Sequence, residues 1–353
     1  MDSENSYDKE KIEVQQPDVK KQGRRRRRIL YAVAFVLCIV IVNTVLGFVL
    51  IKPGLTRIML HELDEGDYQC VVLGTSHGSY GIDADTVSET SGKKTMNLCI
   101  GGEYMQDSYY LLKRAIRKNQ NLDTVVLDVD YQYLVNVPKD SVSANFIYNA
   151  YPLSTDKLSY FTDKVMRMEY RATLFPWMDY RDRYCQIIKT VKTKRKSAYR
   201  ACLASTVEMD PSDTYEGKGF ISRNRNCTTK TDTLRNITWD ESKVDADSIR
   251  YFRKIVKLCK KKNIKVVMTT VPVTPEKIAT SQETYDEIHN YIQSLADASD
   301  CQYIDFNQTA TDEFTPKSED YWDYDGHMYG DSAKRFSKVY GEYISRAVSG
   351  IQS

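Results

Sequence analysis

The stretch Val71-Val72-Leu73-Gly74-Thr75-Ser76-His77-Gly78-Ser79-Tyr80-Gly81-Ile82-Asp83 constrains the fold more than any other part of the chain. A short apolar run that reads as a buried strand enters a turn of small residues, and a helical pattern follows. A strand–turn–helix junction can hold a side chain at the carboxyl edge of a sheet, where open α/β folds place their sites. The side chain presented here is the Ser76 hydroxyl, a candidate nucleophile. Backbone N–H groups of the turn, close to a helix N-terminus, are suited to holding an oxyanion. Alone, the same turn also reads as a tight connection with a helix-capping hydroxyl. The nucleophile reading therefore depends on a base elsewhere.

The rhythm after this junction is that of an α/β domain. Strand candidates at Cys70–Leu73, Thr95–Ile100, Thr124–Val129, Ile264–Thr270 and Tyr303–Phe306 alternate with helical patterns. Those helices are Ala84–Ser91, Met105–Lys118, Asp247–Lys262, Tyr285–Ala298 and Ser332–Val348. That order predicts a flavodoxin-like, doubly wound parallel sheet with helices on both faces. Residues 131–245 break the rhythm. They are rich in Tyr, Arg, Lys and Asp and hold no strand of Thr124–Val129 quality. They read as an irregular, mainly helical insertion over the sheet edge, serving as a lid or as decoration.

Ahead of the body, Ile29 to Ile51 is an uncharged apolar run in which Asn43 and Thr44 are the clearest polar interruptions. Twenty-three residues of helix span roughly 34 Å, enough for a hydrocarbon core of about 30 Å. Arg24 to Arg28 precede it, which predicts a cytoplasmic N-terminus and an extracytoplasmic body. A cleaved signal peptide is the competing reading, but the run is long for one and no A-x-A site follows. The chain thus divides into a polar, disordered tail (1–28), a transmembrane helix (29–51), a juxtamembrane connector (52–67) and a globular domain (68–353). The first 28 residues carry a net charge of +3 and the rest a net of −1, so the body lacks the basic surface of a nucleic-acid binder.

Eight cysteines are present, Cys38 inside the apolar run and seven scattered outside it. No C-x-x-C pair occurs, so neither a zinc knuckle nor a thioredoxin-like site is expected. Cys70, Cys99 and Cys259 read as small core residues, and a disulfide among Cys185, Cys202 and Cys227 stays open.

The base must come from four histidines. His61 lies in the connector, His289 sits mid-helix in a surface-like context, and His77 adjoins Ser76, where neighbouring side chains diverge. His327 lies in Tyr321-Trp322-Asp323-Tyr324-Asp325-Gly326-His327-Met328, between the last strand and the closing helix. In a doubly wound sheet that loop emerges on the same rim as Ser76. Asp325 or Asp323 would orient the imidazole. These two carboxylates with His327 could also hold a metal, but no further ligand cluster accompanies them, so no metal or cofactor is expected.

Gly74-Thr75-Ser76-His77 after a strand, with a near-C-terminal acidic-loop histidine followed by Ala333-Lys334-Arg335-Phe336-Ser337, resembles the SGNH/GDSL hydrolase superfamily. More narrowly it is similar to a membrane-anchored branch on bacterial cell surfaces. That branch includes relatives of the D-alanyl-lipoteichoic acid transfer protein and of polysaccharide O-acetyl transfer proteins. The resemblance implies an SGNH-type fold, with Ser76 as nucleophile and its own N–H in the oxyanion hole beside that of Gly101 or Gly102. The family's asparagine after the third strand is absent, since Asp128-Val129-Asp130-Tyr131 stands there. The acid usually stands three residues before the histidine, where this chain has Tyr324.

The expectation is a membrane-anchored serine esterase or acyltransferase that needs no cofactor. It would act on acyl esters of a cell-envelope polysaccharide or teichoic acid. Its partners would be that polymer or an acyl donor, the membrane, and a membrane acyl-transfer protein. A catalytically silent accessory protein that binds glycan or assembly partners is the alternative. The 26 tyrosines, many in 104–180 and 321–342, suit sugar stacking as well as ordinary half-buried packing.

Overall fold

The computed structural model describes residues 19–135, 142–163, 171, 174–226, 230–309, 311 and 313–350. The first 18 residues of the expected tail and Cys227 lie outside the described residues. Helix α1 spans Val19–Leu50, so residues 19–28, expected as disordered tail, continue the apolar helix. Lys, Arg and Gln are good helix formers, and extending an existing helix adds one hydrogen bond per residue without a new nucleus. Helix α2 (Leu55–Glu65) occupies the connector and buries Ile58, Met59, Leu60 and Leu63.

In the body, β1 (Cys70–Leu73), β2 (Thr95–Asn97), β3 (Thr124–Asp128), β6 (Lys265–Thr270) and β7 (Gln302–Asp305) form one sheet in the order β2-β1-β3-β6-β7. Every pairing in it is parallel. Counted within that sheet the order is 2-1-3-4-5, the flavodoxin-like doubly wound arrangement. Its strands are apolar without alternation because both faces are covered. Val71, Leu73, Val125, Leu127 and Met268 point into one core. That core is closed by α2, α5 (Met105–Lys118), α6 (Ala246–Lys261) and α7 (Gln282–Asp297). Cys70, Val72, Val126, Val267 and Ile304 point into the other. There α4 (Ala84–Ser91) supplies Val87, and α8 (Gly330–Ser349) supplies Phe336, Val339, Tyr340 and Ile344.

The insertion contains helices and one antiparallel hairpin that sequence reading missed, β4 (Asp213–Gly217) with β5 (Phe220–Arg223). Asp, Glu and Gly weaken its β signal, and it is held by what it docks on. Phe220 is fully buried in the second core. At the turn, the Asn97 N–H on edge strand β2 donates to the Lys218 carbonyl at 3.0 Å. Gly219 has φ +89°, and a Cβ there would lie 1.7 Å from the Asn97 carbonyl oxygen. Only glycine fits that approach.

Cys70, Cys99 and Cys259 are buried as expected, and all seven described cysteines are free thiols, Cys185 and Cys202 among them.

Candidate active site

In the order 2-1-3, strand β1 lies at the point where the winding reverses, so the crevice opens between the loops after β1 and β3. Ser76 is the first residue of the short helix α3 (Ser76–Gly81), directly after β1. Gly74 and Gly78 let this turn sit on its neighbours. A Cβ on Gly74 would approach that of Asp128 to 2.8 Å, and one on Gly78 would meet the Cys99 sulfur at 2.4 Å.

The loop between β7 and α8 delivers the base. Tyr321 and Met328 form an antiparallel bridge, and the Trp322 N–H donates to the His327 carbonyl at 3.1 Å. Gly326, at φ +111°, reverses the chain between them. This tight turn sets positions 323 and 327 side by side and aims position 325 the other way. His327 Nδ1 lies 2.6 Å from Asp323 Oδ2, and His327 Nε2 lies 2.8 Å from Ser76 Oγ. Asp323 Oδ1 accepts the N–H groups of Gly326 and His327, each at 2.9 Å. An ionised carboxylate only accepts, so Nδ1 carries the proton and Nε2 is left to accept the Ser76 O–H. Burial pushes the Asp323 carboxyl up. The hydrogen bond and charge of His327, with the two N–H groups, outweigh that and hold it below the ordinary carboxylate range.

Of the two acids left open as orienter, Asp325 is held away from His327. Its carboxylate accepts the Lys277 ammonium at 2.7 Å. The turn at Gly326 is the reason, and Asp323 stands beside the imidazole instead.

His77, set aside in the sequence, belongs to the site. Its side chain diverges from that of Ser76, as expected, but runs into the same crevice. Nδ1 lies 2.9 Å from Asp130 Oδ2, and Nε2 lies 3.0 Å from the Asp325 carbonyl. Both ring nitrogens face acceptors, which fits an imidazolium. Burial opposes that charge, but the Asp130 carboxylate wins and raises the His77 pKa. Burial likewise pushes Asp130 up, and His77 overcomes it to leave the carboxyl below its usual range. The Thr75 hydroxyl also donates to Asp130 Oδ2, at 2.9 Å. The loop after β3 is thus tied to the nucleophile turn by Asp130. The only advance signal for this was a pair of acids closing an apolar strand next to β1.

The two imidazoles stand 4.9 Å apart. Trp322 stacks on His327 at 5.1 Å, and Tyr80 meets it edge-on at 5.6 Å. The hairpin completes this wall, since Arg223 lies 4.1 Å over the Trp322 ring and Asp213 accepts the Tyr80 hydroxyl. Of the two glycines expected at the oxyanion position, Gly101 borders the nucleophile, since a Cβ added there would lie 3.6 Å from the Ser76 Cβ. Gly102 follows at φ +76°. His289 pairs with Asp305 at 2.8 Å, away from Ser76. Among the described residues no cluster of three metal-ligating side chains occurs.

Beneath the turn, Asp128 is buried, and burial drives its carboxyl up to about 7. The Val271 N–H and His77 pull it down and Asp130 pushes it up. A carboxyl raised from about 3.9 in the unfolded chain favours folding when protonated. That contribution is full below about pH 4 and is lost as pH rises to about 7. Asn keeps the neutral shape and removes the titration. The stability advantage of Asp128→Asn over wild type should therefore grow by roughly 3 kcal/mol between pH 5 and pH 8. Guanidinium unfolding of both proteins at the two pH values measures it, and an unchanged difference refutes the buried acid.

The fold and site define a doubly wound α/β protein with a Ser–His–Asp constellation at the carboxyl edge of its sheet. Residues 55–328 match the family described as "Protein of unknown function (DUF1574)", and the chain belongs to that family. The match encloses Ser76, Asp323 and His327. No functionally curated protein matches the sequence. Likenesses to solved structures are distant. A candidate acylhydrolase of Bacteroides fragilis aligns at TM-score 0.35 and 8% identity over 86% of this chain and 92% of that one. A GDSL-like lipase of Bacteroides thetaiotaomicron gives 0.36 and 9% over 84% and 93%. A candidate platelet activating factor of Streptococcus pneumoniae gives 0.37 and 11% over 88% and 99%. The site rests on its own distances.

Proposed function

We propose that the chain is a serine-dependent acyl-ester hydrolase or acyltransferase, held at the membrane by α1. The observation that carries this is the unbroken line Ser76 Oγ–His327 Nε2, 2.8 Å, and His327 Nδ1–Asp323 Oδ2, 2.6 Å. Ser76 attacks an ester carbonyl as Nε2 takes its proton. Asp323 holds the tautomer and stabilises the imidazolium, which returns the proton to the leaving alcohol. The Ser76 N–H and that of Gly101 hold the oxyanion. Water or an acceptor hydroxyl then releases the acyl group by the reverse path.

The anchor suggests an acyl-bearing cell-envelope polysaccharide or teichoic acid as substrate. A membrane acyl-transfer protein would fit as donor partner. The Arg24–Arg28 cluster ahead of the apolar run favours a cytoplasmic N-terminus and an extracytoplasmic body. A polar cavity of about 390 Å³ beyond Asp325, lined by Gln132, Arg235, Asn236 and Lys277 among others, suits a hydroxyl-rich acceptor. The test is a fluorophosphonate probe on the full-length chain in detergent. Stoichiometric adduct mapped to Ser76 is the expected result. A folded chain that takes up no probe would point instead to an accessory protein on the same scaffold.

A further inference from the structure

Asn43 is the oddity of the apolar run, and the structure gives it partners from the insertion. Its side-chain amide donates to the Leu174 carbonyl at 2.9 Å, and its oxygen accepts the Trp177 indole N–H at 2.9 Å. Phe175 and Trp177 also wall a small apolar space against Cys38, Ile39 and Val42. Further along α1, Lys194 donates to the Gly47 and Phe48 carbonyls in the last turn of the helix.

The depth of these contacts is set by arithmetic. From Ile29, the first residue past the arginines, to Asn43 is about 21 Å of helix. A hydrocarbon layer needs about 30 Å. If α1 spans a membrane, Asn43 therefore lies roughly 9 Å inside it. Leu174, Phe175 and Trp177, bound to it, lie at that depth too. The segment is amphipathic, with Asp179, Arg181, Asp182 and Arg183 standing between Trp177 and Ile188, so only its Leu174–Trp177 end suits that depth. Leu174, Tyr184 and Ile188 are exposed by 42%, 72% and 70%. Its backbone is wound into a 3-10 helix over Pro176–Gln186, kinked at Arg183, and an α-helix from Ile187, so much of its backbone pairs within the segment. Its charged stretch from Asp179 to Arg183 stays at the interface, where Arg181, Arg183 and Lys189 reach water.

We propose that residues 174–188 are a second membrane element, lying along the bilayer interface nearest the globular body beside α1, with its Leu174–Trp177 end dipping into the hydrocarbon and Asn43 as the fastening point. Lipid acyl chains cover its exposed apolar side chains. Asn43 is thereby explained as a polar residue inside a span that is paired rather than left bare. The inference rests on reading α1 as a membrane span.

Depth-resolved fluorescence quenching tests it on the full chain in phosphatidylcholine vesicles brominated on the acyl chains. Three tryptophans are present, and Trp239 and Trp322 sit in the body. Acyl-chain bromine should quench part of the wild-type emission, and Trp177→Phe should abolish that part. Leu174→Trp in the Trp177→Phe background should restore it, and Asn43→Leu should reduce it. A chain that withstands an alkaline wash of the vesicles but shows no quenching dependent on position 177 or 174 overturns the second element alone. A chain stripped by the wash overturns the span reading as well.

Discussion

Ser76→Ala should lower turnover of an activated acyl ester by roughly a millionfold, the scale seen when a triad loses its nucleophile. The size follows from the arrangement. Ser76 Oγ is the hydroxyl bonded to His327 Nε2. Without it, the base and acid have nothing to activate except stray water. What remains is the binding and oxyanion contribution of the turn. The alanine costs little in folding, because position 76 opens a six-residue helix and its Oγ serves no cap. A thermal melt close to wild type, with turnover gone, is the expected pair of measurements. Turnover within tenfold of wild type would remove Ser76 from the chemistry.

Asp323→Asn should cost about 10⁴ in kcat, whereas Asp325→Asn should stay within about tenfold. The two main-chain N–H groups of Gly326 and His327 meet one oxygen of residue 323. In the asparagine variant they retain the amide carbonyl there and leave the NH₂ facing His327 Nδ1. Nδ1 must then accept, which puts the ring proton on Nε2, where the Ser76 hydroxyl needs a lone pair. The tautomer is reversed while the shape is preserved. Asp325→Asn weakens only the bond to Lys277, and the Asp325 carbonyl that meets His77 is main chain and survives. Steady-state rates on one ester for both variants decide the matter. Equal losses, or a larger loss at position 325, would refute the assignment of Asp323.

Much of the fold was legible because both faces of the sheet are buried. Runs such as Cys70–Leu73 and Thr124–Asp128 have no solvent face to interrupt them, and the helices between them show a clean apolar stripe. Ser76 and His327 could be paired from sequence because strand order alone sends their loops to one rim. The choice between Asp323 and Asp325 could not be made that way. It turns on a single positive φ at Gly326, which brings the acid four positions away to the imidazole and not the one two positions away. His77 was missed for a related reason: its partners, Asp130 and the Asp325 carbonyl, lie 53 and 248 positions away. The hairpin at Asp213–Arg223 was invisible because its residues are poor strand formers held by docking. The depth of Trp177 likewise required knowing that it meets Asn43.

The hairpin turn on β2 bears on how the globular body avoids joining its own copies. The margin of a sheet is where one molecule can recruit another, because unpaired N–H and C=O groups invite a foreign strand. Here the margin is only three residues long. The Thr95 N–H is taken by the Ser88 hydroxyl and the Asn97 N–H by the Lys218 carbonyl. The insertion is thus a guard rail as well as a wall of the crevice. Trimming it to leave a minimal catalytic body would bare a sticky border, and the shortened protein would be prone to join its own copies strand to strand.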